Sequence, residues 1–130
     1  MSPRIRDIMT RDLLLLRPEM EVLHAMRLLL RRNCSGAPVV AGDGTLVGLL
    51  SQKDCLRAAV HASYYQEWGS PVSVHMNREV VTMDAELELM DAALQFLNSP
   101  YRRFPVVDGG RLAGIVSRSD LLRALIDHWR

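Results

Sequence analysis

Two serines, each followed three residues later by an aspartate, are the clearest pairs of groups in this chain that could do chemistry: Ser51 with Asp54, and Ser117 with Asp120. A serine hydroxyl can donate to a phosphate oxygen, and an ionised carboxylate can accept from both hydroxyls of a ribose. Each pair follows an apolar run and opens a helical pattern. The phrases are GLLSQKDCLRA from Gly48 and GIVSRSDLLRA from Gly114, and they agree at six positions: Gly, Ser, Asp, Leu, Arg and Ala. The first N–H groups of such a helix lack intrahelical partners and lie at the positive end of its dipole, so they favour an anion. The same spacing has a second reading, a capping box in which the serine caps the helix and the acid reaches back to the backbone.

Catalysis is not expected. Ser117, Asp120 and His128 hold the residue types of a triad, but a serine and an aspartate one helical turn apart provide no base for the hydroxyl, and no GxSxG elbow occurs. Asp43 and Asp54 have turn and ribose-binding explanations rather than a paired acid and base. His24, His61, His75 and His128 never stand three or four residues from one another or from a cysteine, so no metal site is expected. Cys34 and Cys55 form no CxxC pair and are read as reduced, partly buried thiols.

The elements that must position the two pairs are themselves duplicated. Setting GAPVV (36–40) over RFPVV (103–107) aligns Pro38 with Pro105 and Met9 with Met76, and one deletion brings the later phrases into line. In the first copy a short turn over 6–10 precedes a strand at Leu13–Leu16. A helix is predicted from Pro18-Glu19 to near Asn33, with Val22, Ala25, Met26, Leu29 and Leu30 on one apolar face. A hairpin around Gly42-Asp43-Gly44 and a helix capped by Ser51 follow. The second copy predicts a strand at Val80–Thr82, a helix near Ala85–Asn98, a hairpin across Asp108-Gly109-Gly110 and a helix over Arg118–His128. Each copy is β-α-β-β-α, with repeat 1 over 1–62, a linker over 63–71 and repeat 2 over 72–130. Between the copies, His61 to Pro71 holds Tyr64, Tyr65 and Trp68. This aromatic stretch either covers an exposed surface or extends the preceding helix onto its own body.

Length and composition suit one conventional core: 130 residues, 48% hydrophobic and 24% charged. The 16 basic and 15 acidic residues leave a net charge of +1, which argues against a nucleic-acid footprint or attraction to an anionic membrane. Local positive runs such as RLLLRR and YRRF are read as solvated surface. The longest apolar run, Leu13–Leu16, is too short to cross a bilayer, and no signal peptide is evident, so the default location is cytoplasmic.

The repeated β-α-β-β-α order, the PVV strands and the two GhhSxxD phrases (h, apolar) resemble the CBS domain family, named from cystathionine β-synthase, from about Arg4 to Trp129. The resemblance implies an α/β (α+β) fold, two repeats packed through their sheets with pseudo-twofold symmetry into a stand-alone pair. It implies a non-catalytic regulatory module with no obligatory cofactor. Such a module senses AMP, ADP or ATP, or less favourably S-adenosylmethionine, in the cleft between the repeats and signals to a partner protein. Homodimerisation through the outer helices is implied as well.

By the same resemblance Asp54 and Asp120 take ribose, and Ser51 and Ser117 take phosphate. The stretch before each PVV strand lies beside the ligand, with Ala37-Pro38 or Phe104-Pro105 near the base. Arg102 and Arg103 point toward phosphate, and Lys53 and Arg118 stand at the helix junctions. The two sites are expected to be unequal, because Tyr101-Arg102-Arg103-Phe104 offers charged forks where Cys34-Ser35-Gly36-Ala37 offers none. Which site the arginines serve stays open, and a di-arginine favours phosphates over a sulfonium cation. The alternative is a ligand-free dimerisation or docking scaffold. Met26 with Leu28-Leu29-Leu30, and Leu121-Leu122 with Leu125-Ile126, supply more apolar surface than one buried stripe needs.

Overall fold

A computed structural model describes residues 2–67 and 69–129. In chain order the elements are α1 (Ile5–Ile8), α2 (Val22–Arg31), β1 (Gly36–Val40), β2 (Leu46–Ser51), α3 (Gln52–Tyr65) and α4 (Val72–His75). They continue as β3 (Met83–Asp84), α5 (Leu89–Leu97), β4 (Arg103–Asp108), β5 (Arg111–Ser117) and α6 (Arg118–Trp129). The fold is α+β with two small sheets, β1-β2 and β3-β4-β5. Among the described residues no helix is long and apolar enough to cross a membrane.

Both hairpins form as their turn chemistry predicts. Strand β1 pairs antiparallel with β2, with Gly36 opposite Ser51, and β4 pairs antiparallel with β5, with Arg103 opposite Ser117. Each hairpin carries a bulge at the same place, between Val39 and Val40 and between Val106 and Val107. Gly109 and Gly110 turn the second hairpin with φ of 60° and 82°, where a side chain would be strained.

The chain divides into two compact units, residues 14–80 and residues 1–13 with 81–130. In the first, Val22, Ala25 and Leu29 of α2 pack with Val39, Leu50 and Ala58, at the helical and strand spacings expected. In the second, Leu89, Ala92 and Phe96 of α5 pack with Phe104, Val106 and Val116. These units do not follow the sequence repeats. The opening helix α1 belongs with residues 81–130: Ile5 and Arg6 donate backbone N–H to Leu87 and Ala85, both at 2.9 Å. Thr10 exchanges two backbone bonds with Ile115, at 2.8 and 3.0 Å. In the same way α4 joins residues 14–80, and Asn77 exchanges two bonds with Leu49, at 2.8 and 2.9 Å. A glycine makes each seat possible. Met76 lies over Gly48 and Met9 over Gly114, so close that a methyl group at either glycine would overlap the methionine sulfur.

Four expected elements differ, and hydrogen bonding explains the two helix starts. Leu13–Leu16 is no strand, and only Leu16 bridges to Val39. Helix α2 begins at Val22 rather than Pro18, because the carbonyls of Pro18 and Met20 accept from Ser73 and Val72. Helix α5 begins at Leu89 rather than Ala85, because the Asp84 carboxylate accepts the Glu86 N–H at 2.8 Å and its carbonyl accepts from Leu87, making a turn. The strand expected at Val80–Thr82 sits at Met83–Asp84, where the Met83 side chain is buried and Val81 stays exposed.

Helix α3 runs to Tyr65 and stops at Gln66, a left-handed residue with φ 58°. The aromatic stretch is therefore a helix extension, but one whose rings stay outside: Tyr64 and Tyr65 are exposed, and Tyr65 makes tilted ring contacts with Tyr64 and with His61. Trp68 lies outside the described residues.

Candidate functional site: two strand-to-helix corners

Each repeat turns from strand to helix with no intervening residue. Ser51 is the last residue of β2 and the N-cap of α3, in an extended conformation. Its Oγ accepts the Asp54 N–H at 3.0 Å, and Asp54 Oδ2 accepts both the Ser51 N–H and the Ser51 hydroxyl at 2.9 Å. At the second corner Ser117 Oγ accepts the Asp120 N–H at 3.1 Å, and Asp120 Oδ2 accepts the Ser117 N–H at 2.9 Å. The capping box is thus made at both corners, and it holds each serine and aspartate on one side of the helix start.

The opening N–H groups are partly spent. Gln52 donates to the Ser35 carbonyl at 2.8 Å and Arg118 to the Arg102 carbonyl at 3.0 Å. With the Asp54 and Asp120 N–H groups used by the caps, two of the first three donors of each helix already have partners. An anion arriving here competes with internal bonds rather than filling an empty cradle.

The other expected residues divide into three groups. Ala37, Pro38, Phe104 and Pro105 are buried. The Phe104 ring is fully enclosed, its centroid 4.8 Å from that of Phe96, so Phe104 offers a ligand its backbone alone. Arg102 and Arg103 are exposed, and Arg103 pairs across the hairpin with Ser117, which puts both side chains on one face of the sheet. Lys53 and Arg118 stand in the first turns of α3 and α6 and also border apolar grooves. One groove, of about 460 Å³, lies between α2 and α3; the other, of about 510 Å³, lies between α5 and α6.

Two further residues belong to the corners. Arg57 donates to Asp54 Oδ1 at 3.1 Å, and Arg123 donates to Asp120 Oδ1 at 3.3 Å. Both are the repeated arginine of the shared phrase, three residues past the aspartate, a spacing that places ionic partners side by side on a helix. Around the first corner, burial first and the Asp54 charge second push the Cys55 thiol up, away from a reactive thiolate. Cys34 and Cys55 are both free thiols. Burial and then the charge of His61 hold His75 below the usual imidazole range, partly offset by Asp54, and its Nε2 lies 2.7 Å from Ser70 Oγ.

Two copies of a helix, hairpin and helix, each hinged on a Ser-x-x-Asp corner, define a tandem-repeat module. The chain belongs to the CBS domain family, whose sequence pattern matches residues 5–61 and 72–127. CBSX2, from Arabidopsis thaliana and solved in complex with AMP, is 31% identical, with 98% of each chain covered and a TM-score of 0.81. Protein MJ1225 of Methanocaldococcus jannaschii is 28% identical over 125 residues, which are 96% of this chain and 44% of that protein. The chain therefore spans less than half of that relative. The CBS domain pair of protein MJ0100, solved with 5′-methylthioadenosine and S-adenosyl-L-methionine, shares the fold at 22% identity, with 98% and 99% of the two chains covered and a TM-score of 0.74.

Proposed function

We propose that this chain is a non-catalytic, cytoplasmic regulatory module that binds an adenosine nucleotide of the AMP, ADP or ATP class and passes the signal to a partner protein. The observation that carries the reading is the Ser117–Asp120 corner facing Arg103 across the hairpin, in a chain similar over nearly its full length to CBSX2, which was solved with AMP. In this reading the aspartate accepts the ribose hydroxyls, while the serine and the opening of the helix hold phosphate. Arg102 and Arg103 add permanent positive charge, which favours a phosphate over the sulfonium of S-adenosylmethionine. Repeats 1–62 and 72–130, joined by 63–71, work as one module. Differential affinity for two conformations would carry the signal.

The outer helices support a homodimer. Leu30 is 70% exposed and Leu97 80% exposed, each beside one of the two apolar grooves, and contiguous apolar surface of this kind marks an interaction face. A second reading, a ligand-free scaffold, draws on the capping boxes, which give both serines and both aspartates internal partners without any ligand.

Thermal melting with AMP, ADP, ATP, NADH and S-adenosylmethionine, on the wild type and on Asp54→Ala and Asp120→Ala, separates the two. A ligand at 100 times its Kd stabilises by about 2.7 kcal/mol, which raises the midpoint by several degrees. The nucleotide reading expects such a shift, lost in an aspartate variant. No shift with any ligand, and variants within about 1 kcal/mol of wild type from cap loss alone, would leave the scaffold.

A further inference from the structure

The two corners share a sequence phrase but not a hydrogen-bond inventory. An ionised carboxylate has about four lone-pair positions, two on each oxygen. At Asp54, Oδ2 is filled by two donors, the Ser51 N–H and the Ser51 hydroxyl, and Oδ1 takes Arg57. A ribose presents two hydroxyls side by side, and only Oδ1 has a place left for one of them. At Asp120, Oδ2 takes the Ser117 N–H alone and Oδ1 takes Arg123. One position stays open on each oxygen, as a vicinal diol requires. Among the described residues Ser117 makes no hydroxyl bond to Asp120, so that hydroxyl proton is available to a phosphate, whereas the Ser51 proton is bound to Asp54.

The cross-strand neighbours differ in the same sense. Arg103 stands opposite Ser117, and Gly36 stands opposite Ser51. A side chain at Gly36 would be tight, since a methyl group there would lie 3.1 Å from the Leu50 carbonyl oxygen and 3.3 Å from the Ser51 Cα. Charge and hydrogen-bond capacity, two independent features, thus favour the same corner.

We infer that the second corner, Ser117 with Asp120 and Arg103, is the primary nucleotide site, and that the first corner is latched shut by its own serine, so that one nucleotide loads per chain. The inference rests on the nucleotide reading above and adds which repeat carries it. Arg123 acts as a positioning residue, holding Oδ1 while leaving it one free place. A ligand at the first corner would have to turn the Ser51 hydroxyl away from Asp54 before its diol could be accepted.

Calorimetric titration of the full chain with AMP tests this, using Asp54→Asn, Asp120→Asn and Arg103→Ala, each first checked for a cooperative melt. The expected result is one AMP per chain in the wild type. A hydrogen bond to a charged group contributes about 1.5–3 kcal/mol, so Asp120→Asn should weaken binding by about tenfold or more, and by more than Asp54→Asn does. Arg103→Ala should weaken AMP more than adenosine, and Arg103→Lys should restore part of the difference, because the arginine acts on phosphate. Should Asp120→Asn fail to fold, the Arg103 pair decides alone. Two equal sites per chain, or a greater loss from Asp54→Asn, would overturn the inference and leave the nucleotide reading standing. No AMP binding by the folded wild type would overturn both.

Discussion

Replacing Gly114 by alanine should loosen α1 from the unit formed with residues 81–130. A methyl group there would lie 2.7 Å from the Thr10 carbonyl oxygen and 2.8 Å from the Met9 sulfur. The methionine is flexible and can turn aside. The carbonyl cannot, because it accepts the Ile115 N–H at 3.0 Å while the Thr10 N–H donates back to Ile115 at 2.8 Å. Ordinary contact begins at 3.4 Å, so Thr10 must retreat by about 0.7 Å, which breaks or strains both bonds. Overpacking costs about 1–3 kcal/mol and each backbone bond contributes about 1 kcal/mol, so a loss of about 3 kcal/mol is expected, against which the entropy gain of alanine over glycine returns less than about 1 kcal/mol. For a chain of this length that lowers the melting midpoint by about 10 °C. Chemical denaturation measures the loss, and amide exchange at Thr10 and Ile115 locates it. Gly69→Ala is the control, since a methyl there meets nothing within 4 Å. If Gly114→Ala unfolds within about 0.5 kcal/mol of that control, the glycine is not the seat of the opening segment and the steric argument fails.

Two other outcomes follow from burial. Phe104→Ala removes a ring that is fully enclosed against Phe96, and should cost about 3–5 kcal/mol in urea unfolding; a small loss with weakened nucleotide binding would mean that the ring faces the ligand. His75 is held below the usual imidazole pKa in the folded chain, so its contribution to stability is complete above the unfolded value near 6.5 and is lost as pH falls through that value toward the lower folded one. Melting midpoints from pH 7.5 to 5.5 should therefore fall less steeply in His75→Gln than in the wild type, and an unchanged slope would refute the assignment.

Much of the architecture could be read from residue patterns because it was written locally and twice. The hairpins announce themselves by Gly42-Asp43-Gly44 and Asp108-Gly109-Gly110 between apolar runs, and the two Ser-x-x-Asp corners by their shared phrase. The helix starts at Val22 and Leu89 were harder, because what delays α2 is the capture of the Pro18 and Met20 carbonyls by Ser73 and Val72, far along the chain. Nothing near Pro18-Glu19 records that competition. The burial of Phe104 was open to inspection, since strand alternation puts it on the side opposite Arg103. Arg57 and Arg123 were in plain view among the six shared positions, but an exposed arginine three residues past an acid reads as ordinary helix decoration until its carboxylate is given a task. The assignment of α1 and α4 to their units had only one trace, the alignment of Met9 with Met76, which gains meaning once each methionine is seen over its glycine.

That last feature bears on how such a chain can be taken apart. A fragment holding residues 1–62 would carry α1 but lack α4, and so would leave the Gly48 seat bare and the Leu49 amide and carbonyl unpaired. Its remedy would be to borrow the leading arm of a second fragment. The full chain is in this sense a domain-swapped pair fused into a single polypeptide, and cutting it between the sequence copies should give two pieces that recover their structure by recombining rather than by folding apart.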